Sequence, residues 1–220
     1  MASAPARIRV SWWPWALIAS AVTFVVGGTL HPDQDPTLPQ AETLPAWIGH
    51  PLWVPSHALI LAAAVLLVPG LVGLLAARPT LSVGARRAGR VAVVAAVLWA
   101  IESVPHLGAA TESAAAAAGQ GTPMLAAHMV LALLGYPLLG LSVATLAVLG
   151  GRALAHPLLT APAMVGGVAW TLAPWLVGPF RVEGASVLFL GGMFLALWIA
   201  AVGAGELARW RAAETGRVAV

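Results

Sequence analysis

Glu102 and His106 close a long apolar segment, in the stretch Trp99-Ala-Ile-Glu-Ser-Val-Pro-His106. Four residues apart, they share one helix face, one turn from each other. An ionisable pair in a segment of membrane length is costly to bury and reads first as a functional site. Glu102 in that setting must be paired, protonated or ligating. It is the candidate catalytic residue. The chain has six histidines. His31, His50, His57, His106 and His128 fall at one level, near the ends of apolar segments, and His156 falls at the other. His31, His57, His106 and His128 come from four different segments at similar depth. Facing helices of a bundle build cofactor and metal sites from such inward-pointing ligands.

Three chemistries fit these residues. In the first, two of His57, His106, His128 and His31 clamp a b-type haem through neutral imidazoles, with nearby glycines making room for the porphyrin. This resembles helical membrane b-type cytochromes in kind. It departs from them in having one histidine level, whereas electron transfer across a membrane needs haems at two depths. A single haem would exchange electrons with a quinone or an external partner. In the second, His57, His106, His128 and Glu102 bind zinc, iron or copper, ions suited to imidazole and carboxylate donors. A catalytic zinc would use three ligands and keep a position open for water, with Glu102 as ligand or general base. In the third there is no cofactor, and the same residues form a proton or substrate network in a transporter or a polar lock in an accessory subunit of a larger membrane complex.

Each residue also has a structural alternative. His31 and His50 precede prolines and read as loop or interface residues. His57 could cap a helix start. His128 could be a satisfied interhelical hydrogen bond, and Glu102 its structural partner. His156 reads as an interface residue, and Glu112 as a solvated acid or a rim residue. Ser56 beside His57 and Ser103 beside Glu102 are sequence neighbours, which do not face each other on a helix. Serine hydrolysis therefore has no motif, and nucleotide chemistry lacks a glycine-rich phosphate loop.

The elements that must position these residues are transmembrane helices. Of 220 residues, 60% are hydrophobic and 9% charged, and the mean hydropathy is +0.90. A soluble domain would carry roughly a quarter charged residues. The absence of cysteine excludes disulfides, thiolate metal sites and thiol nucleophiles. Six segments approach the roughly 20 residues that a span needs: about 12–30, 56–77, 91–110, 124–149, 157–178 and 185–205. Alternating strands of a β-barrel are missing. The reading is an all-α polytopic six-helix bundle, a single transmembrane domain over residues 1–220. Helices 1–4 surround the histidine site and helices 5 and 6 flank it.

The chain's positive charge comes from arginine alone, without lysine. Arg7, Arg9, Arg78, Arg86, Arg87, Arg90, Arg152, Arg209, Arg211 and Arg217 fall on one side of the six spans, and Arg181 on the other. The positive-inside rule places both termini in the cytoplasm and the histidine level in the outer leaflet of the cytoplasmic membrane. The same rule explains the high isoelectric point without a nucleic-acid partner. The partner expected is the lipid bilayer. Trp12, Trp13, Trp15 and Trp210 fit an inner aromatic belt, and Trp47, Trp53 and Trp175 an outer one.

The outer loop 31–55 carries six prolines, at 32, 36, 39, 45, 51 and 55, and the acids Asp33, Asp35 and Glu42. Its apolar part, 44–53, reads as a cap over the helices. Loop 111–123 is alanine- and glycine-rich, and loop 78–90 is a basic inner loop. Pro69, Pro137, Pro162 and Pro174 lie inside spans, which membrane helices tolerate with kinks. A weak internal repeat relates the hairpin of helices 1 and 2 to that of helices 3 and 4, each with a histidine at both outer ends.

The motifs Gly-Gly-Thr-Leu-His31-Pro, Trp53-Val-Pro-Ser-His57 and Glu102-Ser-Val-Pro-His106 resemble those of a type of multi-helix integral membrane protein common in high-GC actinobacteria. The arginine-only, alanine-rich composition matches that origin. The resemblance covers the first four helices. It implies a six-helix architecture and carries no activity.

Overall fold

The computed structural model describes residues 12–32, 40–214 and 216. Arg7, Arg9, Arg217, Asp33, Asp35 and the prolines at 36 and 39 lie outside the described residues. Among the described residues, eight α-helices follow one another: α1 Trp13–Leu30, α2 Gln40–Ile48, α3 Trp53–Ala77, α4 Val83–Gly108, α5 Ser113–Ala117, α6 Pro123–Gly150, α7 Thr160–Val177 and α8 Gly191–Glu214. No strand occurs among the described residues. With short 3-10 extensions, α1, α3, α4, α6, α7 and α8 are long and apolar enough to cross a membrane. The chain is a polytopic all-α membrane protein.

Local chemistry sets the helix ends. Pro14 and Pro123 stand in the first turns of α1 and α6, where a missing N–H costs nothing. The Ser82 hydroxyl caps α4 by accepting from Ala85 N at 3.2 Å. That cap moves the start of the third span to Val83, eight residues before the expected 91. Arg86, Arg87 and Arg90 are therefore helical and not in a loop. The last helix also outruns its expected end at 205, because Glu206, Arg209 and Trp210 pair on its final turns. Pro162 sits in the first turn of α7, so it kinks nothing.

The six spans close into a ring. Each packs on the next in sequence, and α8 returns to pack on α1. The last two spans are thus part of the wall and not a flank. Trp13 at the start of α1 meets Trp210 of α8 edge-on, with ring centroids 6.3 Å apart. Arg78 at the end of α3 pairs with Glu206 of α8. Both described chain ends therefore lie at one end of the ring, and the histidine cluster lies at the other. Trp13 is buried core, whereas Trp12 and Trp15 are exposed as an interfacial belt requires.

The ring's outer surface is apolar. Val22, Val65, Val94, Leu134, Val168 and Leu197, one from each span, are half or more exposed, as lipid contact requires. Inside, α1, α4, α6 and α7 contribute Phe24, Trp99, Tyr136 and Trp170 to one aromatic layer. Phe24, Trp99 and Trp170 meet edge to face at 5.4–5.6 Å, and Tyr136 stacks on Trp170 at 4.8 Å. This layer closes the bundle axis beneath the histidines.

Candidate metal centre

The four helix ends converge as their spacing predicts. His31 stands at the C-terminal end of α1, His57 in the second turn of α3, Glu102 and His106 in the last turns of α4, and His128 in the second turn of α6. Glu102 is fully buried, His57 is 1% exposed, and His106 and His128 are 8% exposed. His31 is half-buried.

The cluster divides into two overlapping triads. The ligating atoms of Glu102, His106 and His128 all lie within 4.8 Å of one another, and so do those of His31, His57 and His106. In the first triad, His128 Nδ1 makes a short contact with Glu102 Oε1, and His106 Nδ1 stands 3.4 Å from the same oxygen. In the second, His57 Nε2 and His106 Nε2 are 3.0 Å apart. The rings of His106 and His128 stack at 3.5 Å, and those of His57 and His106 lie 4.1 Å apart.

Two buried polar atoms here have no hydrogen-bond partner among the described residues: Glu102 Oε2 and His106 Nδ1. An unpaired buried polar group is costly and asks for an explanation, an unseen ion being one. The Tyr136 hydroxyl also approaches the Glu102 carboxylate.

The surroundings fix the rings. His57 Nδ1 donates to the Trp53 carbonyl at 2.7 Å, so its Nε2 is left bare toward His106. Ser56, although a sequence neighbour, reaches His57 Nδ1 at 3.1 Å while donating to the same carbonyl at 2.9 Å. Trp53 stacks on His57 at 4.1 Å, and its Nε1 donates to the His106 carbonyl at 3.1 Å. Trp53 is wholly buried and packs the site instead of joining an interfacial belt.

A lid covers the cluster. The cap expected from the apolar part of loop 31–55 is the helix α2. Ile48 and Trp53 pack with Ala109 and Leu125, and Leu44 and Trp47 lie over them. Trp47 Nε1 donates to the Pro32 carbonyl at 2.8 Å. The Ser113 hydroxyl of α5 ties down α2 through the Pro45 carbonyl at 2.9 Å. A Cβ on Gly49 would stand 2.4 Å from that hydroxyl, so only glycine permits the approach.

Glu112 is neither solvated nor at the rim. It is buried, and its two oxygens accept from Met124 N at 2.7 Å and Leu125 N at 3.0 Å. It caps the positive N-terminus of α6 across the connecting loop and so sets the height of His128. His50 and His156 serve their own loops, accepting from Leu52 N and Leu158 N.

Sequence reasoning missed Tyr136, Trp53 and the cap role of Glu112. Tyr136, the chain's single tyrosine, carried a signal: eight residues after His128, it returns to the same helix face. Comparison of the chain with family models, with curated proteins and with solved structures finds no match.

Proposed function

We propose that the protein binds a first-row transition-metal ion at this cluster, and that Glu102, His106 and His128 hold it. The buried Glu102 carboxylate carries the reading: it faces two imidazoles, and its Oε2 and the His106 Nδ1 make no hydrogen bond among the described residues. An ion supplies what both atoms lack. Imidazole with carboxylate suits zinc, iron or copper. Ligands on one tetrahedral ion at 2.0–2.1 Å stand about 3.3 Å apart, close to the 3.4 Å between His106 Nδ1 and Glu102 Oε1. The bound ion would supply Lewis-acid or redox chemistry. The chain's own part is to orient the His128 ring through Glu102, to exclude water with α2 and to keep one carboxylate in an apolar shell.

Haem b is the competing occupant, and the packing favours the bare ion over it. A porphyrin needs a slot between its axial imidazoles. Here His57 and His106 touch through their Nε2 atoms, and Trp53 stacks on His57. Seven described arginines (78, 86, 87, 90, 152, 209 and 211) lie at the end that carries the termini, and Arg181 lies at the other. This supports a cytoplasmic placement of the termini and an outer-leaflet metal site.

Metal analysis and a visible spectrum of detergent-purified protein test the reading. It expects at least one zinc, iron or copper ion per chain, no Soret band, and loss of an ion in His128→Ala and in Glu102→Gln. Protein that is metal-free and takes up none of these ions would overturn it. A Soret band with reduced α and β bands would replace it with the haem reading.

A further inference from the structure

We infer that the cluster is a two-ion centre in which the His106 ring bridges the ions. This rests on the metal-binding reading above. His106 belongs to both triads and offers them opposite nitrogens: Nδ1 toward Glu102 and His128, Nε2 toward His57. Because the two nitrogens of one ring diverge, a single ion cannot use both. One ion therefore leaves either the Nδ1 side or the Nε2 side empty.

The second triad carries its own marks of a ligand set. His57 Nδ1 donates to the Trp53 carbonyl and His31 Nδ1 to the Pro32 carbonyl at 3.0 Å. A carbonyl only accepts, so the His57 ring keeps its Nε2 without a proton. Metal-ligating histidines are oriented in this way, with the other ring N–H held by a backbone carbonyl or carboxylate. The 3.0 Å between His57 Nε2 and His106 Nε2 is near the ligand spacing around one ion, about 3.3 Å. His106 is the exception, since neither of its nitrogens is held by the backbone. Its Nδ1 makes no hydrogen bond among the described residues and stands 3.4 Å from Glu102 Oε1, and its Nε2 meets another imidazole. The ring that both triads share is thus the ring that the backbone anchors on neither side, with one nitrogen turned toward each triad. When the second ion binds, the remaining N–H proton of His106 leaves to solvent, and the ring binds one ion through each nitrogen. No electron transfer is involved.

Titration of full-length, detergent-purified, metal-stripped protein with Cu(II) and with Zn(II), followed by metal analysis, tests this. Wild type should saturate at two ions per chain. His31→Ala, at the rim of the cluster, should saturate at one and keep the Glu102 site. Glu102→Gln should also fall to one and keep the other site. Copper-loaded wild type should give the electron paramagnetic resonance of a magnetically coupled pair. Copper-loaded His31→Ala should give the signal of an isolated ion. Wild type that saturates at one ion overturns the two-ion centre and leaves the single-ion reading standing. So does a copper spectrum that His31→Ala leaves unchanged. Protein that takes up no ion overturns both. His106→Ala that elutes as a folded species and still shows a coupled pair overturns the bridge.

Discussion

Glu112 shows how much one side chain can do at a helix end. Its carboxylate holds the first free amides of α6 from the far side of a loop, and His128 rides on the second turn of that helix. Glu112→Ala should destabilise the protein by ~1 kcal/mol, the usual worth of an N-terminal cap, as thermal unfolding in detergent would measure. It should also weaken metal binding, whereas Ala substitution at the exposed Gln120 should change neither. The convergence of His31, His57, His106, His128 and Glu102 was legible in the sequence, because residues at matching heights on antiparallel spans must meet if the spans pack. The cap was not legible: Glu112 reaches α6 only because 109–117 coils helically, which an alanine-rich stretch does not announce. The fixed tautomer of His57 was hidden as well, since it depends on a backbone carbonyl and not on a side chain.

At the scale of elements, apolar length was enough to find six spans, and caps and pairs decided where they end. Hydropathy could not show which helices touch. Glycines record that. A Cβ on Gly140 would stand 2.4 Å from the Gly167 carbonyl, and one on Gly167 would stand 2.5 Å from the Gly140 carbonyl. The two helices α6 and α7 cross here with backbone against backbone, as small residues allow in membranes. Gly140→Ala should cost about 1–3 kcal/mol, the usual toll of overpacking, read as a lower unfolding temperature. Gly121→Ala, with nothing within 4 Å of its Cβ, should be neutral and serves as the control. The proline-rich stretch before α3 hid α2, since prolines argue against a helix, yet Pro45 lies within it. As α2 shields the cluster, Trp47→Ala should speed loss of bound metal to an external chelator several-fold. Metal content at saturation should stay the same.

For the whole molecule, the closing contact lies far from the chemistry. Glu206 is buried and takes Arg78 from α3, Arg209 at 2.7 Å and Trp210 Nε1 at 3.1 Å from its own helix. Removing one partner of a buried pair strands the other, at a cost of roughly 3–5 kcal/mol when both are fully enclosed. Arg78 retains some exposure, so Glu206→Ala should fall below that range, at about 2 kcal/mol. A urea or heat titration would show it, with metal stoichiometry at saturation unchanged because the aromatic layer of Phe24, Trp99, Tyr136 and Trp170 separates the two ends.

The closed ring also orders events during biogenesis. A nascent chain emerges N-terminus first. All five donors of the cluster have left the ribosome once residue 128 has, while α7 and α8 are still to be made. The donor set is thus complete while one flank of α1 still faces lipid. The latch on Arg78 follows the donors, once Glu206 has been made.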